Sequence, residues 1–286
     1  MPVYAPEAPG GRTGALHFAV PPDYGTEPLF AVHGRAYLEF LSSCQNGVDA
    51  GTVKVLRYLG DGCEEMEPDL WVAIQRSAHS AVAAALWVSR KGMQGSAAGA
   101  LSYPNGRHAS HSQARLKCYV NNQAIAANTL LQSVDRVVVF SLGVVHADGV
   151  QAMFYERADV MTISLHSQSA SQDAIAVHTG MREEWGAGEG YGYNLNFPLG
   201  SPLCETAMLR TLENALGALQ DYRVQAVVLS LQQQIWGGGA QLGRELGQRI
   251  RALELPTVVI IESQEPMVKA RFEIDGFFSE FLPVMS

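Results

Sequence analysis

The chain has 286 residues, a net charge of −8 and a pI near 5.5, and 47% of its residues are apolar against 17% charged. This composition supports a large buried core, and it excludes a nucleic-acid surface, which needs clustered Lys and Arg. No apolar run reaches the roughly 20 residues of a bilayer-spanning helix, and residues 1–18 lack the apolar stretch of a signal peptide. We therefore expect a cytoplasmic protein with no nucleic-acid or membrane partner.

The first third of the chain is predicted to combine irregular segments with two helices. Residues 1–30 are rich in Pro and Gly and predict an irregular N-terminal arm, whereas 44–68 predict a long acidic surface loop. A short helix is expected at 34–42. Apolar residues that recur at i, i+4, i+7, i+8 and i+11 from Ile74 predict a longer helix that ends near Gly92.

From residue 121 onward, amphipathic helices alternate with strands of continuous apolar character. This alternation predicts one α/β domain over 1–286, built on a doubly wound, mostly parallel sheet with helices on both faces. Ligands of such sheets bind beyond the carboxyl ends of the strands. The predicted helices lie at 121–132, 204–220, 240–253 and 267–280, and the predicted strands at 136–142, 159–165, 225–231 and 256–261.

Several motifs resemble those of the acetylpolyamine amidohydrolase and histone deacetylase family. The segment CYVNNQAIAA (118–127) resembles its Cys-Tyr-x-Asn-Asn-x-Ala-Ile-Ala-Ala, and GEGYGYNLNFPLG (188–200) resembles its Gly-x-Gly-x-Asn-x-Asn-x-Pro-Leu. The loop SLGVVHADG (141–149) resembles the signature Asp-x-Asp-x-His-His-Gly-(Asn/Asp)-Gly. The resemblance implies the arginase/deacetylase-like fold.

The residues at the family's metal positions cannot bind zinc in this chain. The zinc-binding Asp and His fall on Gly143 and Val145, which have no donor atom, and the second Asp falls on Gln234, whose neutral amide is a poor ligand. The transition-state Tyr falls on Glu265, a carboxylate that would repel an oxyanion. The resemblance therefore implies a divergent member without zinc-dependent deacetylase chemistry, and we expect no metal and no other cofactor.

One proton-transfer pair of the family is retained. The first of its two adjacent histidines is Arg107 here and the partner Asp is Ser141, but the second histidine remains as His108 and its partner position is Asp148. A histidine oriented by a carboxylate moves protons near neutral pH without a metal, so His108 and Asp148 are the predicted catalytic residues. The same pair can also persist as a purely structural hydrogen bond.

The predicted substrate-binding residues surround this pair. Arg107 has the fork of donors that holds a carboxylate or a developing oxyanion. The others are expected to line the pocket: Lys117, Gln234, Trp236 and Glu265.

Two functions stay open at this point, and a small-molecule ligand is the expected partner. The first is a metal-independent acid–base enzyme that acts on a small acyl, amide or polyketide-like ligand in bacterial secondary metabolism. The second is a catalytically inactive pseudoenzyme that serves as a binding or scaffolding partner. A relocated metal site of His108, Asp148 and Glu265 is a third hypothesis. The oligomeric state stays open. A homodimer is one alternative, because the relatives often dimerise through an early loop comparable in place to 44–68.

Overall fold

The computed structural model describes most of the chain, and all elements named below fall within the described residues. These are 3–6, 16–44, 57–60, 63, 69–90, 94–168, 179–200, 205–232 and 239–262. The strands are β1 (Val3–Pro6), β2 (Leu16–Ala19), β3 (Ala97–Ser102), β4 (Val137–Leu142), β5 (Val160–Ser167), β6 (Asn194–Leu199), β7 (Ala226–Gln232) and β8 (Thr257–Glu262). The helices are α1 (Glu27–Phe30), α2 (Arg35–Ser43), α3 (Leu70–Val88), α4 (Asn122–Leu130), α5 (Asp148–Phe154), α6 (Glu205–Tyr222) and α7 (Gly239–Arg251).

The eight strands form one sheet in the order β2-β1-β3-β8-β7-β4-β5-β6. The six strands from β3 to β6 in this order run parallel, and β1 and β2 extend one edge in antiparallel pairing. In the centre, Val137 of β4 pairs with Val160 of β5 on one side and with Ala226 of β7 on the other. The predicted mostly parallel α/β sheet is confirmed.

Helices cover both faces of the sheet, which explains why the strands are apolar throughout. Alternate residues of β4 enter two separate cores: Val137 and Val139 pack with α3 and α4, whereas Val138 and Phe140 pack with α6 and α7. This alternation follows from the two-residue period of a strand. Every residue of β4 is buried as a result.

The irregular arm predicted for residues 1–30 is wrong at three described stretches, whereas 20–26 form no helix or strand. Residues 3–6 and 16–19 are strands, and 27–30 form a helical turn. Strands this short carry too few residues for a two-residue period to be recognised, and β1 owes its place to pairing with β3.

The surface loop predicted for 44–68 is also wrong where it is described. Tyr58, Leu59 and Cys63 are buried, and Leu59 forms a bridge with Ala114. These three residues of the acidic segment are therefore part of the core. The helix predicted at 267–280 lies outside the described residues. In the described part of the chain, no helix is both long and apolar enough to cross a bilayer.

Candidate functional site

His108 and Asp148 meet beyond the carboxyl ends of the parallel strands. His108 lies in the segment that follows β3, and Asp148 is the first residue of α5, shortly after β4. The Nδ1 of His108 contacts Oδ1 of Asp148, and the histidine is 7% exposed. The structure thus brings together the two residues that the sequence predicts as a dyad. Their catalytic role stays a prediction.

Gly149 allows α5 to start this close to the histidine. A Cβ at this position would lie 2.5 Å from the backbone carbon of His108 and 2.6 Å from the oxygen of Ala109, so no larger residue fits without a backbone shift. The N–H of Val150 donates to the oxygen of Arg107 at 3.1 Å. These backbone contacts place Asp148 beside His108.

Arg115 is a third member of this group that the sequence interpretation missed. Its Nη1 contacts Oδ2 of Asp148, so the two carboxylate oxygens are shared between a histidine and a guanidinium. Arg115 and Asp148 are separated by 33 positions, and no motif or periodicity links them. Only the fold reveals this contact.

A strained hairpin turn holds Arg115. Its N–H donates to the oxygen of Cys118 at 3.0 Å, and the N–H of Cys118 donates back at 2.9 Å. Leu116 and Lys117 between them have φ of 50° and 58°, the left-handed region that Gly or Asn ordinarily occupies in such turns. Backbone strain of this kind is concentrated at functional sites. The turn also contains the exposed Lys117, whose N–H donates to Sγ of Cys63 at 3.2 Å. Its predicted binding of a substrate stays a prediction.

The electrostatics of the group keep Asp148 ionised. Burial acts to raise the pKa of Asp148, but the hydrogen bond and charge of His108 and the charge of Arg115 outweigh it and hold that pKa below its ordinary value. Because the folded-state pKa is lowered, the stabilisation from this carboxylate is present above the unfolded value and is lost as the pH falls.

Replacing Arg115 should therefore raise the pKa of Asp148. In Arg115→Gln the guanidinium charge beside the carboxylate is gone, and the ¹³C NMR titration of the Asp148 carboxyl should move to higher pH. Arg249→Gln is the matched control, because it removes an arginine that pairs with Glu213 on α6 instead. An unchanged titration in Arg115→Gln would show that the contact has no electrostatic effect.

Arg107 is directed into the protein, toward the carboxyl ends of β4, β7 and β8. Its side chain is almost fully buried, and its Nε lies 2.7 Å from Oε2 of Glu262. Nη1 donates to Oε1 of Gln232 at 2.9 Å, and Nη2 donates to the oxygen of Leu142 at 3.4 Å. The donors of the guanidinium are thus engaged by protein groups. The predicted binding of a substrate anion by Arg107 stays a prediction.

Glu262, the last residue of β8, lies at the strand ends where the sequence predicts ligand binding, but its partners were not predicted. Its Oε1 accepts from the N–H groups of Gly106 and Arg107 at 3.2 Å each and from Nε2 of Gln123 at 2.6 Å. A sequence signal existed, because a carboxylate at the end of the buried strand Thr257–Glu262 requires a partner. The sequence could not say which residue supplies it.

Gly143 provides the space that the guanidinium occupies. A Cβ on this residue would overlap Nη1 of Arg107 and lie 2.9 Å from Oε1 of Gln232. A zinc-binding Asp at position 143 is therefore incompatible with this placement of Arg107. Val145 contributes only its backbone oxygen, 3.5 Å from Nη1. At positions 143 and 145, the residues present offer no side-chain donor to the zinc ion of the family.

Two further histidines lie near the dyad and form a neutral pair. The rings of His146 and His166 are 4.8 Å apart; His146 Nδ1 lies 3.1 Å from Oγ1 of Thr179, and His166 Nε2 lies 3.1 Å from the oxygen of Gly180. Burial lowers the pKa of His146 to about 3, and repulsion from the protonated form of His166 adds to this effect. Burial also lowers the pKa of His166 to about 4, so both rings are neutral at neutral pH. Both rings are thus held by contacts with protein groups.

Three of the predicted pocket residues lie outside the described residues: Gln234, Trp236 and Glu265. Glu265 is also one of the three ligands of the hypothetical relocated metal site. Over the described ranges, no three His, Cys, Asp or Glu side chains are grouped so that they could hold a metal ion.

A cavity of about 590 Å³ opens along α5, and Asp148 is one of its lining residues. Its other lining residues are Gln151, Ala152, Met153, Tyr155, Glu156, Arg157 and Thr179.

Comparison with known proteins agrees with this fold and these motifs. Residues 10–232 match the histone deacetylase domain, and the chain belongs to that family. Within the family it is similar to the acetylpolyamine amidohydrolase of Burkholderia pseudomallei (strain 1710b), with 33% identity over 98% of this chain and 92% of the relative.

More distant and structural relatives give the same assignment. Histone deacetylase 8 of Xenopus laevis is 29% identical over 72% of this chain and 62% of its own length. A crystal structure of acetylpolyamine aminohydrolase from Burkholderia pseudomallei superimposes with a TM-score of 0.80 at 32% identity, covering 91% of this chain and 84% of that one.

Proposed function

We propose that this member of the histone deacetylase family is a metal-independent acid–base enzyme that acts on small acyl, amide or polyketide-like compounds of bacterial secondary metabolism. The observation that carries the proposal is the contact of His108 with Asp148, whose second oxygen is held by Arg115. Such an arrangement orients an imidazole for proton transfer and needs no metal.

The dyad determines which nitrogen of His108 reacts. Asp148 accepts at Nδ1, so the proton of the neutral ring resides there and Nε2 is free to act as a base. Among the described residues, Nε2 has no hydrogen-bond partner. In hydrolysis, Nε2 takes a proton from the attacking water, which adds to the acyl carbon. The same proton then passes to the departing amine or alcohol.

The proposal also requires that the family's zinc is not used. Gly143 and Val145 carry no donor atom, and the guanidinium of Arg107 lies where a side chain at 143 would extend. Proton transfer by His108 is then the remaining chemistry of this site.

Hydrolysis of a panel of p-nitrophenyl acyl esters and N-acetylated diamines, measured in excess chelator, tests the proposal. The wild-type chain should turn over at least one class, and His108→Gln should reduce its kcat/KM by about 10²–10⁴-fold, the usual contribution of a general acid–base group. Arg249→Gln serves as a control for a surface change that should leave the rate unchanged.

Two outcomes would contradict the proposal. Activity that the chelator abolishes and zinc restores would assign the reaction to a metal. Activity that His108→Gln leaves intact would assign it to other residues.

A second candidate, a pseudoenzyme with a binding or scaffolding role, is favoured by the filled centre of the site. His108 is 7% exposed, and Arg107 and Glu262 are each 1% exposed, so the described residues leave little room around the imidazole. This function predicts that the whole panel is inert although the protein is folded. Turnover of any panel member that depends on His108 would reject it.

A further inference from the structure

We infer that the guanidinium of Arg107, paired with Glu262, takes the place of a metal ion at the carboxyl ends of β4, β7 and β8 and closes that place to divalent cations. The inference goes beyond the proposed function, which states only that zinc is not used. It assigns a permanent, covalently tethered cation to the centre of the site.

The acceptors around Arg107 converge as ligands converge on a cation. A carboxylate comes from β8 (Glu262, 2.7 Å from Nε), a side-chain amide oxygen from β7 (Gln232, 2.9 Å from Nη1) and a main-chain oxygen from β4 (Leu142, 3.4 Å from Nη2). The last residues of three neighbouring strands therefore contact one positive charge. A guanidinium can fill this role at any physiological pH because it does not lose its proton.

The partners of Arg107 also accept hydrogen bonds from other protein donors. Glu262 accepts from two backbone N–H groups and from Gln123 in addition to its ion pair. Gln232 Oε1 also accepts from the N–H of Val144 at 2.8 Å. A metal ion would have to displace these donors and lie against a fixed positive charge, so the place is closed both sterically and electrostatically.

Gly143 and Arg107 are complementary, because the missing Cβ of one makes room for Nη1 of the other. This complementarity can be tested by thermal unfolding of Gly143→Ala in two backgrounds. In the otherwise wild-type chain the added methyl group should lower Tm by about 5 °C or more, since overpacking strains a buried site. In a chain that also carries Arg107→Met and Glu262→Leu, the same change should have less than half that effect.

Gly217→Ala on α6 is the matched control, because a Cβ there meets nothing within 4 Å and should not lower Tm. An equal loss from Gly143→Ala in both backgrounds, or no loss in either, would overturn the inference. The measurement involves no turnover, so its outcome is independent of whether the chain is an enzyme.

Cobalt(II) absorption spectroscopy provides a second test that does not depend on the stability of single variants. A variant with Gly143→Asp, Val145→His and Gln234→Asp regains the donor types of the family but keeps Arg107. It should bind cobalt no better than the wild-type chain, whereas the further change Arg107→His should strengthen binding at least 100-fold and give ligand-field bands. Tight binding while Arg107 is present, or none in the folded Arg107→His variant, would reject the assignment.

Discussion

Glu262→Gln should lower the free energy of unfolding by about 3 kcal/mol, because it leaves the buried guanidinium of Arg107 charged and without its counter-ion. Glutamine has the shape of glutamate and can still accept from the N–H groups of Gly106 and Arg107. The change therefore removes the negative charge and replaces the oxygen that faces Nε of Arg107 by an NH2 group, which cannot accept a hydrogen bond. Urea unfolding at neutral pH measures the loss directly.

The double variant Arg107→Met/Glu262→Leu separates the ion pair from the rest of the site. Apolar replacement of both partners of a buried pair is often neutral, whereas removal of one partner is costly. We expect the double variant to be more stable than Arg107→Met or Glu262→Leu alone. If the two single losses simply add, the residues are not coupled and the ion pair does not contribute as described.

The free energy of unfolding should fall steeply as the pH is lowered below about 6.5. Burial lowers the pKa of His33 to about 4, of His146 to about 3 and of His166 to about 4. Between those values and the ordinary value of 6.5, the unfolded chain binds protons that the folded chain does not. Their stabilisation is thus complete above pH 6.5 and is lost as the pH falls.

The expected slope is about 1.4 kcal/mol per pH unit for each histidine, or about 4 kcal/mol per unit near pH 5 when all three contribute. Urea unfolding at pH 8, 7, 6 and 5 checks this dependence. His146→Gln removes one of the three groups and should reduce the slope by about one proton. A stability that is constant from pH 7 to pH 5 would show that these histidines are protonated in the folded state.

The parallel core of the fold could be predicted from the sequence because its strands are short, continuous apolar runs between amphipathic helices. Strand 136–142 and helix 204–220, for example, correspond to Val137–Leu142 and Glu205–Tyr222 in the structure. β1 and β2 were missed because their position depends on pairing with β3 rather than on their own pattern. Local sequence does not encode such an edge.

The candidate site was predictable only where a motif fixes the partners. His108 and Asp148 were paired through the family signature, and the structure brings them into contact. The contact of Arg115 with Asp148 and that of Glu262 with Arg107 were missed, since they join residues 33 and 155 positions apart. For Arg107 the sequence indicated a cation near the dyad, but not that a carboxylate from β8 would already neutralise it.

The central claim, that the site works by proton transfer without zinc, is tested most directly by the rate of acyl-ester and acetyl-amide hydrolysis with metal-depleted protein. We predict that the metal-depleted wild-type chain is as active as the untreated one. We also predict that Asp148→Asn lowers kcat/KM by about 10²–10⁴-fold, because the imidazole loses the carboxylate that sets its tautomer. Loss of wild-type activity on depletion, with recovery on addition of zinc, would contradict the account.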